Sequence, residues 1–189
     1  MEQILGNSEI SDWIGSKNTS CGIVDIVTAE LINSTIGKKP NEDFKNGDPL
    51  PPLWHWFAFP SATHLSQLGD DGHPKHVGYT PPKDLTRRMW ASGSLTFHSN
   101  LRVGEEITKD TTVSDIKEKE SQSGKMVFIT YEHKLRNSGN IAITETQNIV
   151  YLQASDTFNP PKKRDVPQPD YPKAKIVISN PLLFRFSAL

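Results

Sequence analysis

The chain has 189 residues, with 21 Lys and Arg against 22 Asp and Glu for a formal net charge of −1, and a hydrophobic fraction of 35%. That even balance argues against a nucleic-acid surface, which needs clustered basic side chains, and no apolar run reaches the roughly 18 residues of a membrane span. The single cysteine, Cys21, excludes an internal disulfide framework and a Cys-based structural zinc site, and an N-terminus without the basic and apolar regions of a secretion signal predicts a cytoplasmic protein.

Ser8 to Gly15 suits a short amphipathic turn with Ile10, Trp13 and Ile14 inward, and Lys17 to Val24 a first strand. Asp25 is a good helix N-cap and Gly37 a good stop, with Val27, Leu31, Ile32, Thr35 and Ile36 as the apolar stripe between them. Residues 38 to 91 are dense in Pro, Gly, Asp and His and carry the aromatic insertion Trp54-His55-Trp56-Phe57. An irregular stretch of this length inside a compact domain points to binding.

From Ser92 the pattern turns to period two. Leu95 and Phe97 alternate with polar neighbours, and Gly104-Glu105-Glu106 opens a charged strand from Ile107 to about Lys119. Val127, Ile129, Tyr131, His133 and Leu135 share one strand face, and a further strand runs from about Ile141 to Leu152. Gln122-Ser123-Gly124 and Asn137-Ser138-Gly139-Asn140 are turn chemistry. One helix followed by long antiparallel strands predicts an α+β domain over residues 1–153, a curled sheet wrapped around a helix. Repeated prolines and Lys162-Lys163-Arg164 make 154–176 an extended linker. The apolar, aromatic run Leu182 to Leu189 reads as a strand, so 177–189 is expected to open a second folding unit.

Three segments together resemble a known family: Leu50-Pro51-Pro52-Leu53-Trp54-His55-Trp56, Leu68-Gly69-Asp70-Asp71-Gly72-His73-Pro74-Lys75, and Arg87-Arg88-Met89-Trp90-Ala91. They are similar to the N-terminal half of MaoC-like double-hotdog enoyl-thioester hydratases, in particular 3-methylfumaryl-CoA (mesaconyl-CoA type) hydratases and type 2 hydroxyacyl-thioester dehydratases. Phe97 to Glu105, Lys125 to Thr130 and Thr144 to Tyr151 extend the resemblance through the strands. It implies a hotdog fold and a role in reversible hydration of a 2-enoyl-CoA, with a methylfumaryl-type dicarboxylic acyl group among the substrates. In that family the catalytic Asp and His belong to a second hotdog, whose entry resembles Leu183 to Leu189. No catalytic residue is therefore assigned in this chain, and no cofactor or metal is expected.

Hydration of an enoyl thioester needs an acid/base pair and donors for the enolate oxygen. The one local match is Asp71 with His76; the resemblance implies an Asp and His at this separation in single-hotdog hydratases, but His73 and Lys75 depart from that pattern and a solvated Gly-Pro turn is the simpler reading. Substrate contacts are instead expected from Trp54, His55, Trp56 and Phe59, as walls of an acyl or pantetheine channel. Arg87 and Arg88 beside Trp90 could offer guanidinium forks to CoA phosphates or a substrate carboxylate. The plain structural alternatives are core packing for the aromatics and solvation or a salt bridge for the arginines. The expected partners are an acyl-CoA thioester and a second hotdog, as a homodimer or as a heterodimer with a catalytic subunit, because an isolated sheet leaves its edge unpaired. A stand-alone homodimeric hydratase or thioesterase, and a non-catalytic acyl-CoA binding module, are the rival readings.

Overall fold

The computed structural model describes residues 10–37, 43–69, 72–74, 85–121, 124–153, 165 and 177–189. Strand β1 (Lys17–Ile23) leads into helix α1 (Ile26–Ile36), and the long strands β2 (Arg87–Phe97), β3 (Glu106–Ser121), β4 (Gly124–Asn137) and β5 (Asn140–Leu152) follow before helix α2 (Asn180–Ser187). Short 3-10 helices occupy Ile10–Trp13, Trp54–Ala58 and Leu65–Gln67. The strands form one antiparallel sheet in the order β1-β3-β4-β5-β2. The expected α+β class holds, and sheet plus helix make a hotdog fold.

Register follows from turn chemistry and from the period-two pattern. Ser138 and Gly139 both have positive φ, 44° and 86°, so the β4–β5 connection is a tight two-residue turn closed by the Asn137–Asn140 pair. That register aligns the inward residues of β4 and β5, and Val127, Ile129, Leu135 and Ile149 are all buried. The residues expected to share one face of β4 do so, and that face is the inward one.

Helix α1 is capped as expected: the Asp25 carboxylate accepts from the Thr28 N–H at 2.7 Å. Its buried face differs from the predicted stripe. Ala29, Ile32 and Asn33 face the core, while Val27 and Leu31 are largely exposed. The small Ala29 lets the helix lie close to its neighbours, and hydrophobicity alone does not distinguish two apolar faces. Around α1 gather Val24, Leu50, Trp54, Ala58, Leu101, Val103, Ile107, Leu135, Ala142 and Ile143, the first of two apolar clusters. Leu85, Val113, Ile116, Val127 and Ile129 form the second, with Trp13, Tyr131 and Tyr151 against it. Ile14, expected inward beside Trp13, is exposed.

Two further expectations are corrected. Strand β2 begins at Arg87, inside the stretch read as irregular, because the backbone there pairs with the end of β5 from Arg87–Leu152 onward. The expected terminal strand is instead helix α2. Ser179 caps it by accepting from the Leu182 N–H at 3.3 Å, and Pro181 stands in its first turn, where the missing N–H costs nothing. Arg185 donates to the Ser34 hydroxyl at 2.6 Å and Phe186 meets Phe57 edge to face, so α2 lies against α1. An amphipathic run with a capping serine satisfies a helix as well as a strand, and contact with α1 decides. The linker 154–176 lies outside the described residues apart from Asp165.

Contact between β1 and the 54–58 helix requires a glycine. A Cβ on Gly22 would fall 2.1 Å from the Ala58 carbonyl oxygen and 2.7 Å from Phe59 Cδ1. Gly22→Ala is expected to destabilise the fold by about 1–3 kcal/mol, as overpacking does. Urea unfolding followed by far-UV circular dichroism checks this, and tryptophan fluorescence should shift as the 54–58 segment is pushed outward.

Candidate functional site

The aromatic insertion is divided among three directions by its own geometry. With three residues per turn, a 3-10 helix sends residues i and i+3 to the same side. Trp54 and Phe57 share one side and turn toward Phe44, whose ring centroid is 5.4 Å from that of Trp54, and toward Phe186 of α2. Trp56 and Phe59 share another and line a cavity of about 360 Å³. His55 is buried beneath them. The chain enters this helix through Leu53 at φ 74°, a left-handed conformation uncommon for a residue with a side chain.

A second local device brings Trp90 to the same cavity. Inward residues on β2 are Gly93 and Leu95, which pair with Gln147 and Glu145. A bulge between Trp90 and Ser92 shifts the alternation by one residue and turns Trp90 inward. Its indole packs edge to face on Trp56, with centroids 5.7 Å apart, and lies across Gly93, where a Cβ would come within 2.9 Å of Trp90 Cζ2. A matching bulge interrupts β3 between Val113 and Asp115. The β3 bulge falls where that strand's inner face passes from Lys109 and Thr111 to Val113 and Ile116.

Between the two apolar clusters runs a polar belt. Leu95, Glu145, His133 and Thr111 lie side by side across β2, β5, β4 and β3, with Lys109 and Gln147 on adjoining rows. Glu145 is 2% exposed. Burial alone would push its carboxyl upward, but donors from His55, Gln147 and Trp56 outweigh this and hold it below the ordinary carboxylate range. Gln147 Nε2 donates to Oε1 at 2.7 Å, and Trp56 Nε1 is shared between Oε1 at 3.1 Å and Oε2 at 3.2 Å. His55 Nε2 stands 3.7 Å from Oε2, longer than a hydrogen bond.

His133 Nδ1 contacts the Thr111 hydroxyl at 2.8 Å. Burial lowers the pKa of this imidazole, with Glu145 opposing and Lys109 reinforcing the shift. Lys109 is half-buried, its ammonium 4.0 Å above the Phe59 ring, and burial lowers its pKa against the pull of Glu145. Tyr131, at the margin of the second cluster, is pushed up to about 12, mainly by burial. Lys109 and Phe59 also border an open groove along the outer edge of β1, lined by Asn18, Ser20, Cys21 and Pro60. The cavity and the groove thus share Lys109 and Phe59.

Of the residues singled out in the sequence, His55, Trp56, Phe59 and Trp90 line the cavity, while Trp54, Arg87 and Arg88 do not. Trp54 belongs to the core beside α1. Arg87 is exposed at the start of β2, and Arg88 contacts His73 Nε2 through Nη1 at 3.0 Å. Asp71 and His76 lie outside the described residues. Glu145, His133, Lys109 and Gln147 were not anticipated. A glutamate, a histidine and a lysine at inward positions of otherwise apolar strand faces were the available signal. Among the described residues no group of side chains has metal-binding geometry, and no helix is long and apolar enough to cross a membrane.

A hotdog sheet with an inward polar cavity beneath an aromatic wall defines the class. Residues 53–189 match the family described as hydroxyacyl-thioester dehydratase type 2, and the chain belongs to that family. The mesaconyl-C(4)-CoA hydratase of Chloroflexus aurantiacus is 35% identical over 187 residues, covering 98% of this chain and 66% of that protein. The chain thus spans slightly less than two thirds of this relative's length. Among solved structures, the MaoC-like dehydratase of Rhodospirillum rubrum aligns over 75% of this chain and 94% of its own, at 15% identity and a TM-score of 0.46. The (R)-hydratase of A. caviae aligns over 78% and 98%, at 14% identity and a TM-score of 0.44.

The belt makes stability depend on pH in a defined direction. With its folded pKa lowered from 6.5, His133 stays neutral where the unfolded chain takes up a proton, so stability is full above that value and falls as pH drops through it. Glu145, lowered from 4.5, adds a further loss as pH falls below the ordinary carboxylate range. The urea midpoint is expected to fall from pH 7.5 to pH 5.5, and His133→Gln should narrow that difference. Glu145→Gln at pH 7.5 should cost about 1–3 kcal/mol, since one of the two acceptor oxygens is replaced by a donor facing donors.

Proposed function

We propose that this chain is the substrate-holding N-terminal half of an enoyl-CoA hydratase, which adds water reversibly to a 2-enoyl-CoA. Residues 1–153 form its hotdog, 154–176 connect, and 177–189, now with a helix, lead toward a second hotdog that supplies the acid and base. The observation carrying this reading is the cavity itself. It lies between two apolar clusters, is walled by Trp56, Phe59 and Trp90, and shares Lys109 and Phe59 with the β1 groove. Such a shape suits an acyl group within and a pantetheine arm along the groove. Family membership and the name of the Chloroflexus relative support hydration of a CoA thioester, with a mesaconyl-type dicarboxylic acyl group as the substrate.

The chemistry divides accordingly. The aromatic wall excludes water from the acyl chain and orients the double bond, and the belt's fixed dipoles hold its polar end. Water activation and α-carbon protonation fall to the second hotdog, joined as a continuation of the polypeptide, as a heterodimeric subunit or as a second copy. The edge strand β2 and the half-exposed Trp56 and Trp90 offer that neighbour a surface. A cytoplasmic location accords with CoA thioesters as substrates.

Cys21 provides a direct test, because it is exposed in the groove and is the only cysteine in the chain. Crotonyl-CoA is expected to quench tryptophan fluorescence and to slow alkylation of Cys21 several-fold, whereas Trp90→Ala should weaken both effects. Hydration, read as loss of enoyl-thioester absorbance, should require the second hotdog. Turnover by the 189-residue chain unaided would overturn the division of labour. An absence of binding by either readout would overturn the substrate-holding role.

A further inference from the structure

The polar belt holds more donors than the protein itself satisfies. His133 Nε2 is buried without a hydrogen-bond partner, whereas His55 Nε2 faces Glu145 Oε2 at 3.7 Å; both residues line the cavity. The two histidines are 2% and 8% exposed. Lys109, also in the lining, makes no ion pair among the described residues and rests its ammonium on the Phe59 ring. Among the described residues Glu145 is the one carboxylate in the lining, and its oxygens already face Trp56 and Gln147. Buried donors left unpaired are costly and normally find an acceptor. His133 Nε2 still lacks an acceptor, and the carboxylate nearest Lys109, Glu145, is already engaged by Trp56 and Gln147.

We infer that Lys109 and His133 form the specificity subsite for a second carboxylate carried by the acyl group. This rests on the acyl-CoA reading above. Lys109 supplies the charge, and a protonated His133 Nε2 supplies a directed hydrogen bond when the Thr111 hydroxyl donates to Nδ1 at 2.8 Å. Arg88, the earlier candidate for this role, is outside the lining and engaged with His73. A substrate with a methyl in place of the carboxylate leaves the same donors unpaired, so the subsite discriminates against it.

Succinyl-CoA and butyryl-CoA have four-carbon acyl groups, one ending in a carboxylate and the other in a methyl, and neither carries a double bond to be hydrated. Titration of the purified protein by calorimetry is expected to show succinyl-CoA binding about tenfold or more tightly. Lys109→Met should abolish the preference, and Lys109→Arg should retain part of it. His133→Gln, with an unchanged far-UV spectrum, should reduce the preference independently. Equal affinities in the native protein, or a preference surviving both Lys109→Met and His133→Gln, would overturn the subsite alone. Failure of both esters to bind would overturn the acyl-CoA reading itself and the subsite with it.

Discussion

A carboxylate inside a protein must be surrounded by donors, and Glu145 meets this requirement with groups from its own strand and from the distant 54–58 segment. Trp56 comes from a 3-10 helix 89 residues earlier, Gln147 from the same strand face, and His55 from beneath the aromatic wall. Removing a charge from water costs several kcal/mol unless it is paired and hydrogen-bonded. The carboxylate therefore ties the 54–58 segment to the sheet in one arrangement. That arrangement aims Trp56 and Phe59 at the cavity and Trp54 away from it.

The belt also explains why the core is divided. An unbroken apolar inner face would seal helix to sheet and leave no space for a ligand. Here Thr111, His133, Glu145 and Gln147 separate the cluster around α1 from the cluster around Ile116 and Ile129. The bulge in β3 sits at this boundary, and β2 carries another. Each advances its strand by one residue, so polar and apolar stretches can both face inward at the positions where they are needed. Trp90 owes its place over Gly93 to the same shift.

On the opposite side, the two helices set the outer surface. α1 presents apolar residues all round; α2 reaches it through Arg185 on Ser34, Phe186 meets Phe57, and Leu189, beyond the helix, packs against the core. Val27, Leu31, Leu183 and Phe184 remain exposed together with the aromatic mouth at Trp56 and Trp90. Exposed apolar surface of this extent is characteristic of a domain that packs against another.

Much of the scaffold was legible from local rules. Asp25 as a cap, Ser138-Gly139 as a tight turn and the alternation through Val127 to Leu135 act over a few residues, and the same local physics operates in the folded protein. Three segments of motif sufficed to suggest the family. The tertiary structure alone decided which face of α1 is buried, that Leu182 onward is a helix resting on α1, and where β2 begins, because each depends on a partner far away in sequence. It also decided the site. Glu145, His133 and Lys109 belong to different strands, and only the register of the sheet and the two bulges bring their side chains to one cavity.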